Sequence, residues 1–144
     1  CSGAIMTCDL CENPGGEILW QDERCRVVLV PERGYDGFCR VIWSAHVKEM
    51  TDLDTPDRGH LMRVVFATES AVRAVTRCDK VNLAAFGNYV PHMHWHVIPR
   101  FTDDRHFPDA FWSAARRADA PMRAHATADL ARHLTAHINR ELAR

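Results

Sequence analysis

Between Pro91 and Arg100 the chain reads His92-Met93-His94-Trp95-His96-Val97-Ile98-Pro99. Imidazole and apolar side chains alternate, and a period of two is the mark of an extended strand, whose successive side chains leave opposite faces. The spacing predicts a strand over 92–98 that Pro99 stops. Met93, Trp95 and Val97 then share a face fit for a core, while His92, His94 and His96 share the other. Such a strand needs a sheet with one face packed under a helix and the opposite face kept for polar chemistry. Three neutral imidazoles in a row have no packing use, so the pattern points to a site.

Composition sets the frame for that sheet. The 144 residues are 47% hydrophobic and 26% charged, which suits one ordinary domain and excludes a disordered or collagen-like chain. No apolar run approaches the ~20 residues of a membrane-spanning helix, so no membrane partner is expected. Eighteen basic side chains balance nineteen acidic ones, a net charge of −1 that argues against nucleic acid as a partner. Cys1 to Ile5, ahead of Met6, read as a tag remnant, and no secretion signal follows. The remaining cysteines, Cys8, Cys11, Cys25, Cys39 and Cys78, are odd in number and unevenly spaced. That usage fits reduced thiols and a cytoplasmic location.

Around the histidine strand the chain alternates short β-rich runs with two helical patterns. Asn13-Pro14-Gly15-Gly16 is a turn cluster, and Glu17–Trp20 and Cys25–Val30 read as a hairpin joined by Gln21-Asp22-Glu23. Residues 38–44 form a third expected strand and 81–86 a fourth, with Gly87-Asn88 turning into the fifth. A first helix is expected from an N-cap at Thr55, with Pro56 and Asp57 in its first turn and an apolar stripe of Leu61, Val65, Thr68, Val72 and Val75. A second is expected from about Ala128, with Leu130, Leu134, Ile138 and Leu142 on one face. The stretch 100–122, with Phe107, Phe111 and Trp112, carries no periodicity. The expected fold is α+β: a five-stranded antiparallel sheet with a central and a C-terminal helix.

Imidazole can ligate a metal, shuttle protons near neutral pH, or attack phosphorus as a neutral nucleophile. The last role needs one ring nitrogen protonated and hydrogen-bonded so that the other presents its lone pair. Histidines two residues away on the same strand face stand about 6–7 Å off, close enough to serve the central one. A catalytic metal held by all three is an alternative, though three side chains along a straight strand span too far for one ion. A third reading is a module that binds nucleotides without turnover.

The segment His92–Ile98 resembles the signature of the histidine triad (HIT) family, His-x-His-x-His-x-x with apolar x. Asn82–Val90 resembles the glycine-containing approach to that triad, and the likeness spans roughly residues 7–101, with 102–144 as an extension whose helix packs on the same domain. Within the family the chain is most similar to the bacterial diadenosine polyphosphate hydrolase-like branch. The resemblance implies a nucleotide hydrolase or nucleotidyl transferase that needs no cofactor for its chemistry. His94 would attack an α-phosphorus to form a covalent nucleotidyl-histidine, His96 would contact the phosphate and protonate the leaving group, and His92 would orient the site. Asn82 matches a residue near the bridging or leaving-group oxygen, and Asn88 lies in the phosphate loop. Two positions depart from the pattern: Tyr89 stands where relatives carry a small hydroxyl residue, and Glu32 falls one residue away from the ribose-holding position. The resemblance also implies a homodimer, and a structural zinc held by Cys8, Cys11, His46 and His92. His60, His106, His125, His133 and His137 read as surface or helix residues, and Arg100 as either a phosphate neighbour or a surface arginine.

Overall fold

The computed structural model describes residues 7–125 and 127–144; the presumed tag remnant at 1–5 lies outside the described residues. A short helical turn, α1 (Asp9–Glu12), precedes strands β1 (Glu17–Gln21), β2 (Cys25–Leu29) and β3 (Cys39–Trp43). A 3-10 turn at Met50–Asp52 leads into helix α2 (Thr55–Thr76), then β4 (Lys80–Ala84), β5 (His94–Arg100) and helix α3 (Thr127–Leu142). The strands form one antiparallel sheet in the order β1-β2-β3-β5-β4. This is the expected α+β architecture.

The sheet's two faces have different occupants. On one, Val27, Val41, Trp43 and Val97 pack under Leu61, Val64, Val65 and Val72 of α2, and Leu130, Leu134 and Ile138 of α3 join the same core. On the other, Val28 and Ile42 are covered at one end by Leu10 from α1. Ile98 is covered at the other end by Val30, Tyr35, Phe38 and Phe111. The N-terminal segment and the 101–112 segment thus close the two ends of this second face and leave its middle for the histidines.

Three expectations shift. Asp54, not Thr55, caps α2: its carboxylate accepts from the Asp57 N–H at 2.9 Å. A cap at Thr55 would have to serve the Arg58 N–H, which already donates to the Asp54 carbonyl. β5 starts at His94, because His92 lies in a tight turn with its N–H on the Val90 carbonyl at 2.8 Å. The strand then runs through Pro99 to Arg100 rather than stopping. Its β3 neighbour is registered only as far as Cys39 opposite Val97, so beyond that point one edge of β5 carries no ladder and tolerates proline.

Arg100, His106 and His60 are buried, not on the surface. Arg100 forms a buried ion pair with Asp104, Nε to Oδ2 at 2.8 Å, and donates from Nη1 to Asn82 Oδ1 at 2.7 Å. Burial raises the Asp104 pKa, but Arg100 and the N–H groups of Phe101, His106 and Phe107 outweigh it and hold the carboxyl down at about 2. His106 Nδ1 lies 2.7 Å from the Tyr35 hydroxyl. This network folds the aperiodic segment back over the sheet. His60 Nε2 donates to Asp22 Oδ2 at 2.7 Å and so ties α2 to the β1–β2 turn.

Candidate active site

Register decides which side chains meet on the second face. Arg40 lies opposite His96, and Ile42 opposite His94, in the β3–β5 ladder. Cross-strand partners project from the same face. His94, His96 and Arg40 therefore stand together, and with Phe86, Gly87, Asn88, Tyr89, Phe111 and Trp112 they line a cavity of about 310 Å³. A second cavity of about 240 Å³, lined by Lys48, Glu49, Met50 and His92 among others, shares His94, Phe86 and Gly87 with it. Gly87 bends the β4–β5 loop round the ring with φ of +69°, a conformation that favours glycine.

The hydrogen bonds fix the ring tautomers. His94 Nδ1 donates to the His92 carbonyl at 2.5 Å, so Nε2 is left with its lone pair. Burial, with a further push from Arg40, lowers the His94 pKa against the opposing hydrogen bond, and the ring rests neutral. His96 is lowered to about 4 by burial, by His94 and by Arg40. Its ring stands 5.0 Å from His94 between centroids at 84°, edge-on to Phe38, and its buried Nδ1 has no hydrogen-bond partner among the described residues. A neutral, oriented imidazole with a free lone pair beside a second one suits nucleophilic attack on phosphorus.

His92 turns away from that cavity. Its Nε2 donates to the Trp43 carbonyl at 2.5 Å, which leaves Nδ1 as the lone-pair nitrogen, 3.4 Å from the Sγ atoms of both Cys8 and Cys11. Burial lowers its pKa and keeps the ring neutral. His46 Nδ1 is 3.3 Å from Cys11 Sγ, and the four donor atoms lie within 4.8 Å of one another. Tetrahedral zinc with ordinary bond lengths separates sulfur and nitrogen ligands by about 3.5 Å. The two thiols, two imidazoles and the carbonyl behind His92 fit such an ion, including the outer partner that fixes a ligating ring. Arg26 holds this corner, donating to the carbonyls of Leu10, Asn13 and Pro14.

Of the residues singled out in the sequence, His94, His96, Asn88 and Tyr89 share one cavity. Cys8, Cys11, His46 and His92 converge on a second point. Asn82 does not line the His94 cavity; its side chain is held by Arg100. Glu32 lines a separate cavity of about 590 Å³, which contains none of the triad histidines. Sequence reasoning missed Arg40, Phe86 and the part Phe111 and Trp112 take in the wall. The signal for Arg40 was a charged side chain inside a strand otherwise apolar on both faces, and for the aromatics there was none, since a fold-back leaves no local period.

Comparison with known proteins agrees with this fold. The HIT domain profile matches residues 12–103. No curated protein matches the chain. A crystal structure of a histidine triad protein from Marinobacter aquaeolei VT8 is similar over 96% of this chain and 98% of its own, with 20% identity and a TM-score of 0.68. A histidine triad protein from Sinorhizobium meliloti 1021 has 22% identity over 96% and 97% of the two chains, with a TM-score of 0.67. A zinc-bound histidine triad family protein from Mycobacterium smegmatis has 22% identity over 96% and 97%, with a TM-score of 0.61.

Proposed function

The chain belongs to the HIT domain family, and on that footing we propose that it is a nucleotide hydrolase or nucleotidyl transferase working through His94. The single observation that carries this reading is the His94 ring, locked by its Nδ1–H on the His92 carbonyl with the ring on the cavity wall. Nε2 would attack the α-phosphorus of a nucleotide. A nitrogen–phosphorus bond forms as the bond to the leaving oxygen or nitrogen breaks, and the leaving group departs with the electron pair. Water or another acceptor then displaces His94 from phosphorus and regenerates the free ring. His96 rests neutral, so to act as acid it must first gain a proton, and a bound phosphate's negative charge favours that gain. Asn88 and the Gly87 turn border the place where backbone N–H groups would meet non-bridging oxygens. The substrate class proposed is a dinucleoside polyphosphate, in keeping with the diadenosine polyphosphate hydrolase-like resemblance, or a nucleoside phosphoramidate.

Cys8, Cys11, His46 and His92 would hold a zinc ion of structural kind, and the similar Mycobacterium smegmatis protein is itself zinc-bound. When bound, such an ion cross-links the N-terminal segment to the turn before β5 and supplies no group to the reaction. The chain's own part is to keep the His92 carbonyl in place under His94. A catalytic metal on all three triad histidines is disfavoured by the same geometry, since the His92 ring faces the thiols and not its two neighbours. The remaining elements of the reading are a homodimer and a cytoplasmic setting.

The test is a substrate panel of diadenosine polyphosphates and adenosine phosphoramidates with wild type and His94→Asn. Wild type should turn over at least one class and the variant none, with nucleotide affinity kept within about tenfold. Turnover by His94→Asn at the wild-type rate contradicts the assignment, and tight binding without turnover by wild type favours the binding-module alternative.

A further inference from the structure

Among the described residues, no hydrogen bond or ion pair answers the charge of Arg40. It sits on β3 directly across from His96, half-buried, and lines the His94 cavity. Its Nε is buried and makes no hydrogen bond. Among the described residues no carboxylate lies within ion-pair distance of its guanidinium, and Glu32 and Asp9 act on it only from farther away. Its Cζ also lies 5.9 Å from the centroid of the Phe38 ring. Other arginines on this face are answered: Arg100 by Asp104 and Arg26 by three carbonyls. A buried guanidinium donor left unpaired is costly, and it is kept most readily where a ligand supplies the acceptor.

We infer that Arg40 is a further catalytic residue, whose guanidinium binds the non-bridging oxygens of the phosphate that His94 attacks. This rests on the reading of His94 above. The planar fork of arginine matches two phosphate oxygens at once, and its charge does not titrate in the working range. It stands on the same sheet face as both histidines and lines the cavity with them. As His94 Nε2 bonds to phosphorus and the leaving group departs with its electron pair, negative charge grows on those oxygens. Arg40 answers it and exchanges no proton. The cavity therefore takes substrates whose reacting phosphorus bears at least one anionic oxygen, in preference to uncharged esters of the same nucleoside.

The experiment compares wild type, Arg40→Gln and Arg40→Lys for binding of AMP and of adenosine by calorimetry, and for the rate of adduct formation at His94. AMP should bind wild type more tightly than adenosine, and Arg40→Gln should lose that preference while its adenosine affinity stays within twofold. Adduct formation in Arg40→Gln should fall by about 10²–10³, the usual cost of removing one donor to a developing oxyanion. Arg40→Lys keeps a charge in the same strand and should recover AMP binding but only part of the rate, since it lacks the fork. An Arg40→Gln variant that keeps both the AMP preference and the rate overturns the inference. So does equal loss of AMP and adenosine binding in both variants, which would mark a structural role. If wild type forms no adduct with any nucleotide, the nucleotidyl-histidine reading fails, while the AMP-versus-adenosine comparison still decides whether Arg40 is the anion contact.

Discussion

Two imidazoles a strand-repeat apart behave differently because each is held differently. His94 has a carbonyl to orient it, and His96 has an unpartnered Nδ1 in a buried pocket. The pH dependence follows from the second. His96 in the folded protein titrates near 4, below its ordinary 6.5, so the unfolded chain takes the proton first. Stability is then full above about pH 6.5 and falls as pH drops towards 4, with a slope approaching 1.4 kcal/mol per pH unit for this one group. His94 and His106 are lowered too and add in the same sense. Thermal melts from pH 7.5 to 4.5 should show this decline, and His96→Asn should flatten it in part. A melting temperature constant across that range contradicts the burial assigned to these rings. The triad was readable at this scale since alternation in sequence is alternation in space. The resemblance already set His92 beside Cys8 and Cys11, but that its ring leaves the shared face was not readable, since the strand begins only at His94 and the ring is held by the Trp43 carbonyl 49 residues away.

At the scale of elements, the second sheet face is built by what folds over its two ends. The N-terminal segment is fixed by Leu10 and by Arg26, and the proposed zinc would fasten it to the turn before β5. Purified under zinc-replete conditions, the protein should carry one zinc per chain. Cys11→Ser should lose it and melt at a lower temperature, because a ligand present at a hundred times its dissociation constant adds about 2.7 kcal/mol. Metal analysis and melting check this, and an undiminished melt in metal-free wild type contradicts it. At the other end, Asp104→Asn leaves the Arg100 charge buried without its counter-ion, a change that typically costs about 3–5 kcal/mol. Denaturant unfolding measures it, and a loss below about 1 kcal/mol would show the 101–109 fold-back stands without the pair. Strands and helices were legible because their periods are local. The cap at Asp54 moved by one residue because competition for the Arg58 and Asp57 amides is settled only in three dimensions. The segment after Arg100 was opaque because its order comes from Asp104 and His106 meeting Arg100 and Tyr35, contacts no periodicity announces.

For the whole molecule, the HIT fold was legible from the triad strand and the order of elements around it. The wall of the site was not, because β3 supplies Arg40, the β4–β5 loop supplies Phe86, and the fold-back supplies Phe111 and Trp112. Those pieces meet only once the sheet has formed. The proposed homodimer belongs to this scale, and light scattering at micromolar concentration should give twice the mass of one 16.4 kDa chain. A monomer there removes the dimer and leaves the chemistry untouched. The claim on which the rest stands is that His94 itself bonds to phosphorus. Rapid quenching of wild type with a dinucleoside polyphosphate, followed by intact-mass spectrometry, should show the chain heavier by one nucleotidyl group. That group should be acid-labile, absent from His94→Asn, and located by peptide mapping on residue 94. Steady turnover with no such mass on the chain, or with the group on another residue, contradicts the account.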